Sequence, residues 1–170
     1  MLDTYEAERA PHVRAFIDLA VQLGDLIQTT DAEAANARDA RFADGSPALF
    51  DSPTPRLPPG ALVQDHPAAG RPLIQPLLAD GKGFDTVLGP DYALLIDTES
   101  GHSDSQATPI PSPRLRILTD LPPALRTLLR DHAAAAILVR PDRYIAAVAP
   151  RSCDLRAPLA YFPFSIQQTG

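Results

Sequence analysis

Tryptophan is absent from the 170 residues, cysteine and methionine occur once each, and lysine occurs once, as Lys82, against fourteen arginines. One thiol, Cys153, forms neither an internal disulfide nor a cysteine-based zinc site. Long apolar runs are missing as well. The longest, 133–139 and 145–149, fall far short of the roughly 20 residues of a membrane-spanning helix. The opening stretch, from Met1 to Arg9, is charged and has no apolar signal core. These absences read as a cytoplasmic chain with no membrane partner. A net charge of −6 excludes the basic surface that nucleic acid requires. Apolar residues still make up 45% of the chain, more than a disordered polymer carries. A chain of this length hides about 70% of its unfolded surface, enough for one domain with extra segments.

Proline is the residue in excess, with 19 copies, eight of them between Pro47 and Pro76. Proline fixes φ and removes a donor, so that stretch is neither helix nor central strand. The chain thus divides into a helical beginning (1–43), a proline-rich connector (44–71) and a compact end (72–170). Val13, Phe16, Ile17, Ala20, Leu23 and Ile27 recur at spacings of three and four, which predicts a helix over 4–29 with one apolar face. Pro11 is expected to kink it or to mark the first turn of its main part. A second helix is expected over 31–43, capped by Asp31. Residues 72–78 are expected as a short edge strand, 83–89 as one or two helical turns, and 92–96 as a buried strand. Leu115–Leu118 reads as another strand, and Pro122 and Pro123 open a helix over 124–132. The apolar runs 134–139 and 144–148 flank Arg140-Pro141-Asp142-Arg143, which predicts an antiparallel hairpin. A terminal helix is expected over 154–166.

The residues that could carry chemistry do not converge. His12, His66, His102 and His132 are widely spread, and none stands at metal-ligand spacing from another His or Cys. They read as surface or capping residues, and no metal site is expected. His102-Ser103-Asp104 holds the residue types of a catalytic triad, but adjacency is not triad geometry. Nothing in the sequence near Cys153 lowers its pKa, so it reads as a packed thiol. Gly81-Lys82-Gly83 lacks the spacing and ending of a phosphate loop and the third glycine of a dinucleotide fingerprint, so it reads as a turn. Asp142 and its flanking arginines read as a solvated hairpin tip. Asp18, Asp25 and Asp31 share the wet side of the first helix, opposite its apolar face. On residues alone, no catalytic, cofactor-binding or metal-binding residue is assigned.

Several segments, in order, resemble the C-terminal part of single-component FAD-dependent aromatic hydroxylases, nearest to 3-(3-hydroxyphenyl)propionate and phenol-type hydroxylases. They are Leu2-Asp3-Thr4-Tyr5-Glu6-Ala7-Glu8-Arg9-Ala10-Pro11-His12 with Ile17-Asp18-Leu19-Ala20, then Arg41-Phe42 and the connector to Val63. Next come His66-Pro67-Ala68-Ala69-Gly70-Arg71-Pro72-Leu73-Ile74-Gln75-Pro76 and Phe84-Asp85-Thr86-Val87-Leu88-Gly89. Tyr92-Ala93-Leu94-Leu95 and Leu138-Val139-Arg140-Pro141-Asp142-Arg143-Tyr144-Ile145-Ala146 complete the set. Two regions depart from the pattern: 29–41 is shorter than the family's helical insert, and 99–113 replaces a crossover helix.

The resemblance implies an α/β fold. A long helix from the end of a flavin domain and a proline-rich connector would precede a thioredoxin-like domain lacking the Cys-x-x-Cys pair. It further implies FAD and NAD(P)H in the intact enzyme and none in this chain, whose sequence holds none of the family's FAD motifs. A flavin domain, in the same or a separate chain, is the implied partner, with self-association as a second expectation. The chain then reads as a fragment inactive alone. The alternatives are a stand-alone interaction module, or a small independent enzyme using His102 or Cys153.

Overall fold

The computed structural model describes residues 2–43, 56–98, 112–152, 154 and 157–164. Two helices come first, α1 (Leu2–Ile27) and α2 (Ala32–Ala43). A short helix, α3 (Asp85–Leu88), precedes strands β1 (Tyr92–Ile96) and β2 (Leu115–Leu118). Helix α4 (Pro123–Asp131) leads into β3 (Ala134–Val139) and β4 (Ile145–Pro150). The strands form a four-stranded mixed sheet in the order β2-β1-β3-β4. β1 runs parallel to β2 and antiparallel to β3, and β3 pairs antiparallel with β4.

The sheet is apolar on both faces because both are covered. On one side Ala93, Leu95, Ile137, Val139, Ile145 and Val148 meet Leu125 and Leu129 of α4, Phe84, Leu88, and the loop residues Leu57, Val63, Ala68 and Ala69. On the other, Tyr92, Leu94, Ile96, Leu138 and Ala147 meet Leu159 and Phe162. The period-two alternation of β1 divides its residues between the two cores. Irregularities between β3 and β4 shift the register at Ala134/Ala136 and at Leu138/Val139.

Local sequence explains the helix ends. Asp31 Oδ1 accepts from the Glu33 and Ala34 amides, at 2.8 and 3.4 Å, and caps α2. Arg38 of α2 donates through Nη1 to the Leu26 carbonyl (3.1 Å), satisfying one of the open acceptors at the end of α1. Pro122 and Pro123 stand at the start of α4, where their missing N–H groups cost nothing. α1 carries Pro11 inside an assigned helix that continues to Ile27, so the proline neither ends it nor starts it.

Two expectations need correction. Residues 72–78 form no strand. They make only single bridges, Pro72 to Tyr144 and Leu77 to Gly83, since Pro72 and Pro76 cannot donate to a ladder. In place of a terminal helix over 154–166, the described residues hold one 3-10 helix, Ala157–Tyr161, with Pro158 buried inside it and Pro163 beyond it.

The loop 56–70 is stapled to the sheet through its last residue. Gly70 N–H donates to the Ile145 carbonyl and its carbonyl accepts from Leu57, both at 2.8 Å. Its φ is +77°, and a Cβ there would lie 2.2 Å from the Leu57 oxygen. Gly70→Ala is expected to cost about 2 kcal/mol in urea unfolding, since both the φ and the contact oppose a side chain.

Candidate functional site

The charged residues of the hairpin tip meet the N-terminal half of α1. Arg140-Pro141-Asp142-Arg143 turns with an Arg143 N–H bond to the Arg140 carbonyl (3.0 Å), and Arg143 adopts φ +69°, a left-handed position usually left to glycine. Its guanidinium donates to the Gly89 carbonyl at 2.7 Å and the Asp85 carbonyl at 3.4 Å, which anchors the turn on α3. The turn thereby aims Arg140 at α1. Arg140 Nη1 donates to Glu8 Oε2 (2.8 Å) and Nη2 to Asp142 Oδ2 (3.1 Å). Arg9 pairs with the same Asp142 oxygen. His12 Nε2 and the Tyr144 hydroxyl are 2.8 Å apart, and the Arg9 guanidinium lies over the Tyr144 ring, 5.2 Å from its centroid.

Glu8 is 5% exposed and Arg140 9%. Burial opposes the charge on Arg140, but the Glu8 hydrogen bond and the Asp142 charge outweigh it, and the guanidinium is held above its ordinary pKa. Glu8 Oε1 is buried with no hydrogen-bond partner among the described residues. The expectation of a solvated tip holds for Pro141 and Asp142, which are exposed, and fails for Arg140, which the first helix covers from 132 residues away.

Beside this cluster lies a cavity of about 320 Å³, walled by Tyr5, Glu8, Tyr92, Arg114, Arg140 and Phe164 among others. Burial pushes the Tyr92 hydroxyl upward in pKa. Arg140 works against that shift, and Asp142 and Glu8 reinforce it. A second hollow, about 660 Å³, lies between the start of α4 and the 77–87 segment, with Phe84, Leu118, Asp120 and Arg126 in its walls. The cluster of Glu8, Arg9, Arg140 and Asp142 balances its charges internally and acts as a clamp.

Of the histidines considered from sequence, His12 joins the clamp. His66 and His132, far apart in the chain, place their rings 6.1 Å apart. His66 Nδ1 accepts from the Ala68 amide (3.2 Å). Its pKa is lowered, first by burial, then by His132 and Arg56. Gly81-Lys82-Gly83 forms a turn closed by Leu78 and Lys82 ahead of the four-residue α3. Asp18, Asp25 and Asp31 are exposed. His102-Ser103-Asp104 and Cys153 lie outside the described residues. Among the described residues no group of three His, Cys, Asp or Glu could hold a metal ion, and no helix is long and apolar enough to cross a membrane.

In sequence the chain is similar to proteins named hydroxylases of aromatic acids, and in fold to solved aromatic hydroxylases. A relative from Mycobacterium avium (strain 104), named 3-(3-hydroxy-phenyl)propionate/3-hydroxycinnamic acid hydroxylase, is 32% identical over 203 residues. That match takes in 94% of this chain and 35% of the relative, so the chain spans about a third of its relative's length. The alignment is longer than this chain, so the relative carries residues that this chain lacks. The fold is shared with OxyS, an anhydrotetracycline hydroxylase from Streptomyces rimosus (TM-score 0.56, 21% identity, 94% of this chain and 35% of that one). It is shared too with the rebeccamycin biosynthetic enzyme RebC, solved with reduced flavin (TM-score 0.53, 20% identity, 87% and 33%). No family model matches.

Arg140→Met leaves the Glu8 carboxylate buried without its cation, and is expected to cost about 3 kcal/mol in urea unfolding. Adding Glu8→Leu should recover most of that loss; a double variant as weak as the single one would refute the clamp. Half-buried His66 sets a pH dependence. The unfolded chain takes up its His66 proton near the ordinary 6.5, before the folded chain does. Stability should therefore fall as pH drops through the middle sixes and level off once folded His66 also protonates. His66→Asn should flatten this portion of a stability-versus-pH curve.

Proposed function

We propose that this chain is the C-terminal part of an FAD- and NAD(P)H-dependent aromatic hydroxylase of the phenol type, and that it is inactive alone. The observation that carries this reading is the match over nearly all of this chain but only about a third of its relative. In this reading 1–43 is the tail of a flavin domain, 44–71 the connector, and 72–170 a thioredoxin-like domain without the redox cysteine pair. The strand order β2-β1-β3-β4, with one parallel and two antiparallel pairings, supports that domain type. Leu57, Val63, Ala68 and Ala69 pack in the same core, so the second half of the connector serves the domain. A location in the cytoplasm fits a catabolic enzyme of this kind.

The described residues do not fit a flavin cradle. A dinucleotide site needs a glycine-rich turn between a strand and a long helix, whose amides face the phosphates. Gly81-Lys82-Gly83 leads instead into four helical residues with Asp85 at their start, whose charge opposes a phosphate. The flavin, which supplies the oxygen-transfer chemistry when bound, therefore belongs to the portion of the enzyme that this chain does not match. The flavin domain is the partner this reading requires. A stand-alone, non-catalytic thioredoxin-like module is the second reading, favoured by a sheet whose two cores are complete among residues 57–162.

The test is the intact mass of the native polypeptide in its source cell, with its flavin content. A species well above 18.2 kDa carrying flavin is expected, while the purified chain alone should neither retain FAD nor oxidise NADPH. A native species of this chain's own mass without flavin would favour the module.

A further inference from the structure

The cavity beside the clamp holds an acceptor that the clamp leaves open. Glu8 gives Oε2 to Arg140 at 2.8 Å, while its Oε1 is buried with no partner among the described residues. An unsatisfied buried oxygen is costly, and a donor brought to it recovers that cost. Glu8 is 5% exposed and Tyr92 6%, and both stand in the wall of this space of about 320 Å³. The Tyr92 hydroxyl lies in the fields of Arg140, Asp142 and Glu8, which sets the polar end of that side chain beside the same carboxylate.

Much of the remaining wall is apolar, with Tyr5, Leu62, Pro90 and Phe164 in it. The Tyr92 and Phe164 rings meet edge to face, their centroids 6.3 Å apart. Tyr5 and Pro90 are exposed, so the space opens to solvent. Its volume is at the small end for a ligand pocket and suits a molecule of one ring. Charge narrows the class further. A cation would meet Arg140 and Arg114, and an anion would meet Glu8, Asp91 and Asp142. A neutral group with one donor and one acceptor serves both open polar groups: it donates to Glu8 Oε1 and accepts from the Tyr92 hydroxyl. A hydroxyl on an aromatic ring is such a group, and its ring packs against the aromatic walls.

We infer that this cavity is a binding site for a small neutral aromatic molecule carrying a hydroxyl, with its O–H on Glu8 and its ring among Tyr5, Tyr92 and Phe164. The ligand sits between α1 and the hairpin, so its binding stabilises their arrangement by mass action. The inference rests on residues of this chain and is independent of the fragment reading.

The test is a titration of the 170-residue chain with phenol and with anisole, the methyl ether that lacks the donor, followed through backbone amide NMR shifts. Phenol is expected to shift Glu8, Tyr92 and Arg140, with a dissociation constant on the order of 1 mM for so few atoms. Anisole should bind about tenfold more weakly, since it brings no donor to Oε1. Glu8→Leu with Arg140→Met, the pair expected above to restore stability, should erase the preference for phenol over anisole. Tyr92→Phe keeps the ring and should weaken phenol about fivefold. Equal affinity for the two compounds in the parent chain would reduce the cavity to an apolar crevice and overturn the inference. Phenol shifts confined to the hollow at the start of α4, or no shifts at all, would overturn it too. If the double variant does not fold, Tyr92→Phe decides, with its melting checked separately: undiminished phenol affinity there would overturn the hydroxyl pairing.

Discussion

A carboxylate and a guanidinium taken out of water together hold this molecule in its arrangement. Glu8 on the first helix and Arg140 at the tip of the last hairpin are both nearly fully buried, 2.8 Å apart. Desolvating two such charges is expensive, and their attraction offsets the cost only when the geometry is good. Asp142 supplies a second acceptor to Arg140, and Arg9 balances Asp142. His12 on the Tyr144 hydroxyl adds a third tie on the same side of α1, while Val13, Phe16, Ile17 and Ile27 are exposed. The clamp is therefore a device of orientation, and the sheet keeps its own cores without it.

That separation agrees with a chain that is one segment of a larger enzyme. The sheet with α4 and the loop 56–70 forms a complete apolar interior, in which Leu95, Leu125, Ile137 and Leu57 have no exposure. The helix that precedes it has the opposite character, with Phe16, Ile17, Val21 and Ile27 exposed. The chemistry in such enzymes belongs to the flavin, and Gly81-Lys82-Gly83 lacks the long helix of a phosphate-binding turn.

Much of the fold was legible in the sequence where local pattern alone decides. Tyr92–Ile96 and Leu115–Leu118 were found to the residue, because short apolar runs bounded by turn residues leave a strand little alternative. Asp31 as a cap, the paired prolines before α4, and the Pro-Asp turn between β3 and β4 were readable for the same reason: each acts on backbone groups a few residues away. Where the reading failed, it failed on donors and on distance. Pro72 and Pro76 left an apparent edge strand with single bridges, and Pro158 and Pro163 bracket the 3-10 helix that stands where a longer helix was expected.

The sequence by itself determined the strands, the helix caps, the hairpin turn and the apolar stripe of α1. These follow from periodicity and from side chains acting on their own neighbourhood. The tertiary structure alone decided that Arg140 is buried at the base of an exposed hairpin tip, that His66 meets His132, and that Glu8 faces Arg140 across 132 residues. The physical reason is that charge type is written in the residue, whereas desolvation depends on what covers it. No local pattern records which distant element arrives to exclude the water.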